Sequence, residues 1–172
     1  MKGFDLVQSI ADGLVDLGIE LVILGTGESQ YEGFFSDLAA RHPGRVGVYI
    51  GFNNALAQQI YAGSDSFIMP SKSEPCGLSQ MVACRYGTPP IVRETGGLRD
   101  SIHDSSLGEG NGFTFAGYSA HELYDACCRA NAAYYDKGNW ENLVEYAMNC
   151  DFGWGVSAKS YEGLYNETAN LW

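Results

Sequence analysis

Positive charge is scarce in these 172 residues: 10 Lys and Arg stand against 21 Asp and Glu, a formal net charge of -11. Such a surface repels phosphate backbones and anionic lipid headgroups, which argues against nucleic acid or a membrane as partner. It leaves a bound nucleotide open, because phosphate sites are built locally from backbone amides and a few cations. Long apolar runs are lacking too. No stretch reaches the roughly 20 residues a membrane helix needs, and no secretory signal pattern is visible. No internal repeat, low-complexity tract or linker interrupts the chain. Cysteine is sparse and odd in number: Cys76, Cys84, Cys127, Cys128 and Cys150. These five show no disulfide framework and no metal-ligand spacing with His42, His103 or His121. They are expected to be reduced thiols in a cytosolic protein, mostly acting as small buried hydrophobes, and no metal is expected.

What the chain does hold is a core. At this length, with 45% hydrophobic residues, it reads as a single domain over residues 1–172. The 22 glycines suit repeated strand-to-helix turns. A helix from Phe4 through Leu17 is followed by a strand at Glu20–Leu24 and a helix over Tyr31–Arg41. A strand at Arg45–Ile50 and a helix through Leu56, Ile60 and Tyr61 come next. Phe67–Met69 reads as a buried parallel strand, and a helix carrying Leu78, Met81, Val82 and Cys84 follows it. Pro90–Val92 and Gly112–Phe115 are short strands. Ser119 and Glu122 have the spacing of a capping box for a helix with Leu123, Ala126, Cys127, Ala130 and Ala133 on one stripe. Helices over Trp140–Met148 and Trp154–Tyr165 close the chain. Strands alternating with helices predict an α/β, Rossmann-like, doubly wound parallel sheet with helices on both faces. Such a sheet ordinarily opens on a strand, and here the first element is a helix.

The chemistry concentrates in one stretch, Pro70-Ser71-Lys72-Ser73-Glu74-Pro75-Cys76-Gly77-Leu78-Ser79-Gln80. It places a carboxylate and a glycine where a strand hands over to a helix, the usual ligand position in a doubly wound sheet. The amides of Gly77, Leu78 and Ser79 suit a phosphate there. Gly25-Thr26-Gly27 is a weaker signal: the third glycine of a dinucleotide fingerprint is missing, and a dehydrogenase is correspondingly disfavoured.

Glu74-Pro75-Cys76-Gly77-Leu78-Ser79-Gln80, then Arg85-Tyr86-Gly87-Thr88-Pro89-Pro90-Ile91-Val92-Arg93, then Thr95-Gly96-Gly97-Leu98-Arg99-Asp100 resemble the C-terminal, nucleotide-sugar-binding half of bacterial glycogen synthases and plant starch synthases. These are retaining glycosyltransferases of the two-domain GT-B type. The resemblance runs from Lys2-Gly3 to Tyr165. It implies transfer of glucose from ADP-glucose to the non-reducing end of an α-1,4-glucan, without a metal or other cofactor. In the family a strand and a Ser-Arg-Leu turn stand just before Lys-Gly, and a whole N-terminal domain before that. The chain is therefore expected to be a fragment, inactive alone, with residues 151–172 packing on the N-terminal domain. Another chain filling the place of the first strand would make a homo-oligomer.

By the same resemblance Glu74 contacts the donor's sugar hydroxyls and Lys2 neutralises the leaving diphosphate. Gly77, Leu78 and Ser79 meet the distal phosphate, Thr95, Gly96 and Gly97 form a second turn beside it, and Cys76 lies near the ligand. Phe52 falls where the family has an aromatic ring against the nucleobase; a phenylalanine after a strand is equally well a core residue. Val82 stands where many retaining relatives carry a second glutamate, and Gln80 fills the polar position typical of glycogen synthases. Alternatives are a relative using UDP- or GDP-sugars and a non-catalytic nucleotide-binding module.

Overall fold

The computed structural model describes residues 2–169. Helix α1 (Phe4–Asp16) buries Leu6, Ile10, Ala11 and Leu14, one stripe at helical spacing. Strand β1 (Leu21–Gly25), helix α2 (Ser29–Arg41) and strand β2 (Val46–Ile50) form a β-α-β unit, paired in parallel from Leu21↔Val46 to Gly25↔Ile50. Helix α3 (Asn54–Gly63) is started by Asn53, whose side chain accepts from the Leu56 amide at 3.0 Å. Then come β3 (Phe67–Met69), α4 (Ser79–Arg85), β4 (Pro90–Arg93) and a short α5 (Gly97–Ser101). A 3-10 turn at Ser105–Leu107 leads to β5 (Phe113–Phe115). Helices α6 (Ala120–Tyr135), α7 (Lys137–Asn149) and α8 (Trp154–Ala169) complete the described chain. Among the described residues no helix is long and apolar enough to cross a membrane.

The expected parallel sheet with helices on both faces is present, but in two pieces. One piece is β1–β2 and the other is β3–β4–β5, with every pairing parallel. Among the described residues β1 pairs only with β2, and β3 pairs on one side only, with β4. Their outer edges border the same cavity of about 800 Å³, lined from one side by Leu21, Val22 and Ile23 and from the other by Phe67, Ile68 and Met69. Val22, an apolar strand residue, is 58% exposed as a result. The order of strands and helices was readable locally, and the split between β1 and β3 accords with a sheet read from the sequence as lacking its first strand.

Alternation along β4 sorts the core into two layers. Ile91 faces a cluster with Leu6, Ile10 and Leu14 of α1, Phe35 and Leu38 of α2, and Leu123 and Ala126 of α6. Val92 faces the other way, towards Cys84 of α4, Leu98 of α5 and Ala147 of α7. Cys84 and Cys127 are buried as expected, and burial pushes each thiol up to about 12, but the expectation fails for the other three, since Cys128 and Cys150 are only half-buried and Cys76 is exposed. The capping expectation fails too. Ser119 precedes α6 in extended geometry but makes no side-chain cap. Glu122 instead reaches past it and accepts from the Gly117 amide at 2.7 Å, because the turn before the helix folds that amide over the first turn.

Candidate functional site

The site forms where β3 and β4 end. The segment after β3 passes Ser71 and Glu74, both buried, and enters α4 at Ser79. Lys2 arrives from the other end of the sequence. The residue after it, Gly3, holds φ at 81°, and a Cβ there would lie 2.1 Å from the Pro70 carbonyl oxygen. Only glycine fits this close approach, so the start of α1 presses against the end of β3 and Lys2 is delivered to Glu74. Lys2 Nζ donates to Glu74 Oε2 at 2.5 Å, and Ser71 Oγ donates to the same oxygen at 3.2 Å. Two residues singled out 72 positions apart are thus in direct contact. The pair is asymmetric: the Lys2 side chain is 61% exposed and that of Glu74 only 9%. A carboxylate this buried is held by its partners, while the ammonium is free to swing to another anion in the cleft.

The second glycine turn leans on the first. Gly96 has φ 46°, and a Cβ on it would lie 2.1 Å from the Glu74 carbonyl oxygen. The Gly97 amide donates to that carbonyl at 3.1 Å, and a Cβ on Gly97 would lie 2.2 Å from the Cys76 carbonyl oxygen. Thr95, Gly96 and Gly97 therefore sit backbone to backbone with Glu74–Cys76. The amides of Gly77 and Leu78 donate to no protein acceptor among the described residues. Cys76 is exposed at this turn, its Sγ 3.5 Å from the Gly77 carbonyl oxygen. The cavity between β1 and β3 opens beside this site, since Lys2, Ser71 and Ser79 also line it.

Phe52 is not a core residue. It is 92% exposed in the turn after β2, at the carboxyl end of that strand, so its ring is available for stacking. Nothing pairs it with Glu74 or Lys2; it stands at the same end of the β1–β2 piece as the site does of the other.

Three supporting residues carried no functional expectation. Ser71 lies three residues before Glu74, a spacing at which a hydroxyl readily reaches a carboxylate. Arg93 ends β4 and donates from Nη1 to the Lys72 carbonyl at 2.7 Å and the Ser71 carbonyl at 3.3 Å, fixing the approach to Glu74. Arg129 of α6 pairs with Asp104 at 2.7 Å and donates from Nη2 to the Thr114 carbonyl at 2.7 Å. Burial pushes the Asp104 carboxyl up, but the Thr114 amide, Arg129 and Ser106 outweigh it and hold the group below its ordinary value. No local pattern announces Arg93 or Arg129, because each acts across the fold.

Residues 1–146 match the family described as "Glycosyl transferases group 1". The chain is 51% identical over 166 residues to a glycogen synthase of Bacillus cereus, covering 95% of this chain and 35% of that protein. It is 50% identical over 168 residues to a glycogen synthase of Geobacillus thermodenitrificans, covering 96% and 35%. Its structure superimposes with a TM-score of 0.86 on the catalytic domain of starch synthase IV from Arabidopsis thaliana bound to ADP and acarbose, at 37% identity over 98% of this chain and 36% of that one. The chain thus spans about a third of the length of the curated relatives it matches. With the family matched across most of its length, the chain belongs to the group 1 glycosyltransferases.

Proposed function

We propose that this chain is the donor-binding half of a retaining glucosyltransferase that elongates an α-1,4-glucan from a nucleotide-activated glucose, most simply ADP-glucose. The observation that carries the reading is the Lys2–Glu74 pair beside two interlocked glycine turns. Support comes from the starch synthase structure, which is bound to ADP and acarbose, and from the glycogen synthases at 50% identity.

The diphosphate meets the unpaired amides of Gly77 and Leu78, with Ser79 at the first helical position of α4. Lys2 leaves Glu74 for the phosphate oxygens, so its charge faces the group that departs. A donor aimed at charge that develops in the transition state accelerates the step by about a hundred- to a thousandfold. Glu74, relieved of Lys2 but still held by Ser71, accepts hydrogen bonds from the glucose hydroxyls. These orient the ring as its anomeric carbon acquires oxocarbenium character. Thr95, Gly96 and Gly97 border the sugar-diphosphate, Cys76 lies beside it, and the exposed Phe52 ring stacks on the base for about 1–3 kcal/mol. No metal is required when Lys2 and the amides carry the phosphate charge. The acceptor glucan and the rest of the sugar site belong to a second domain in the longer enzyme. The exposed Trp154, Tyr161 and Tyr165 of α8 face that domain.

Calorimetric titration of the chain with ADP and UDP tests this. ADP is expected to bind more tightly than UDP, without change on adding EDTA, and Lys2→Ala is expected to weaken it at least tenfold. Equal affinity for both nucleotides, or an undiminished Lys2→Ala variant, removes the ADP-glucose reading. Glucan elongation by the 172-residue chain alone would remove the requirement for a second domain.

A further inference from the structure

Gln80 has no part in the mechanism above, yet its surroundings are unusual for a core side chain. It is fully buried in the first turn of α4. Its Nε2 shares two hydrogens among three acceptors, the Gly77 carbonyl at 3.0 Å, the adjacent Cys76 carbonyl at 3.3 Å and Ser101 Oγ at 3.2 Å. Ser101 Oγ in turn donates to the Gly97 carbonyl at 2.6 Å. With its hydrogen committed to Gly97, that hydroxyl offers a lone pair to Gln80. Three acceptors around one nitrogen fix which end of the amide faces them. The other end, Oε1, is buried without a partner.

That orphan is informative. A leucine or methionine would fill the same core space without burying an unpaired acceptor, so the amide is there for what its nitrogen does. What the nitrogen does is join two loops. On one side are Cys76 and Gly77, on the other Ser101 and, through it, Gly97. The Gly97 amide already donates to the Glu74 carbonyl, so the side-chain bracket and the backbone contact close a ring around the two turns. Tying back the Cys76 and Gly77 carbonyls also holds the peptide planes that carry the Gly77 and Leu78 amides.

We propose that Gln80 is a positioning residue that couples Glu74–Ser79 to Thr95–Gly97 so that both turns act as one rigid receptor for a diphosphate. The ligand half of this statement rests on the donor-site reading; the coupling does not. Gln80→Glu replaces the donor with a carboxylate facing two carbonyls and a hydroxyl oxygen. Burial among acceptors raises its pKa, and once protonated its single O–H donates to the Gly77 carbonyl while its other oxygen accepts from the Ser101 hydroxyl, which joins the two loops again. Coupling lost at pH 8 should therefore return by pH 5.5. The turns also carry Glu74, Cys76, Arg99 and Asp100, with Lys2 in contact, so the unsubstituted chain sets the baseline over the same range.

The experiment is backbone ¹⁵N relaxation at Gly77, Leu78, Gly96 and Gly97. The unsubstituted chain should show order parameters near 0.85 at all four, flat with pH. Gln80→Glu should fall below about 0.6 in both turns at pH 8 and recover at pH 5.5. Ser101→Ala should loosen Gly96 and Gly97 and leave Gly77 ordered. Order retained at Gly96 and Gly97 in either variant overturns the coupling, as does loosening of Gln80→Glu with no recovery at low pH. If Gln80→Glu does not fold, Ser101→Ala decides. ADP titration of the same samples is read separately. Affinity that falls and recovers with the order parameters supports the diphosphate role, and affinity unchanged while order falls overturns it. An unsubstituted chain that binds no ADP sinks the donor-site reading, and the relaxation data still decide the coupling.

Discussion

The β1–β2 piece and the β3–β4–β5 piece use the same device, a parallel strand leading into a helix, and reach different degrees of closure. β4 has a neighbour on each side; Val92 is 0% exposed and Phe113 on β5 2%. Among the described residues β1 has one neighbour, and Val22, Tyr49 and Ile50 of its two-stranded piece remain exposed. The loops differ likewise. Those after β3 and β4 are cross-linked through Gln80, Ser101 and Arg93, while the turn after β2 leaves Phe52 in solvent. Burial in a parallel sheet is a property of neighbours, not of the strand's own sequence, and the site spans both cases, with Glu74 after the edge strand β3 tied to the turn after β4, the strand with a neighbour on each side.

Glycines should separate the pieces most sharply. Gly96→Ala forces a side chain into the Glu74 carbonyl at positive φ and is expected to destabilise the chain by about 3 kcal/mol in urea melts. Gly47→Ala in β2 meets nothing within 4 Å and should gain up to about 1 kcal/mol. Equal effects would erase the distinction. Asp104→Asn breaks the pair with Arg129 beneath β5, while Arg129 keeps Asp125 and the Thr114 carbonyl, and is expected to cost about 2 kcal/mol near neutral pH. The sign is set by a folded pKa below the unfolded one. The contribution of Asp104 is full above the unfolded value near 4 and fades as pH falls through the folded one, so the variant should lose part of the acid sensitivity of unfolding.

Hydrogen exchange offers a way to break the comparison. β1 amides should exchange about a hundredfold faster than those of β4. An apolar extension of about five residues placed before Lys2 should seat between β1 and β3 and remove most of that gap. A Ser/Gly extension of equal length should leave it. The smallest effect concerns thiols: an alkylating reagent should modify exposed Cys76 promptly, while Cys84 and Cys127, buried and pushed up to about 12, stay unmodified until unfolding.

The strand and helix order was legible because each element carries its own period. The five-residue α5 was not, since Thr95-Gly96-Gly97 reads as a turn and a single helical turn adds no periodicity. The interrupted sheet was legible only in outline: the first element is a helix where a doubly wound sheet has a strand, but β1 and β3 each look like a complete strand, and nothing local says between which two the gap falls. At the site, Glu74 and Gly77 were legible from their place between strand and helix. Lys2 was visible only through family resemblance, because a lysine ahead of a helix has no local signature. Ser71, Arg93 and Arg129 act through partners that the fold alone brings near.

Helix α6 has a mechanical consequence. It packs against α1 on one side and against β4, β5 and α7 on the other, and Leu123, Ala126, Cys127 and Ala130 are buried along it. With β1 and β3 unpaired to each other, it serves as the spine of a book whose two covers are the sheet pieces. A force that opens the covers first meets side-chain packing on this spine rather than a row of backbone hydrogen bonds. The two covers share one apolar cluster along that spine, from Leu21 and Val46 on one side to Ile91 and Phe113 on the other, so they are held together by shape and buried area rather than by paired backbone.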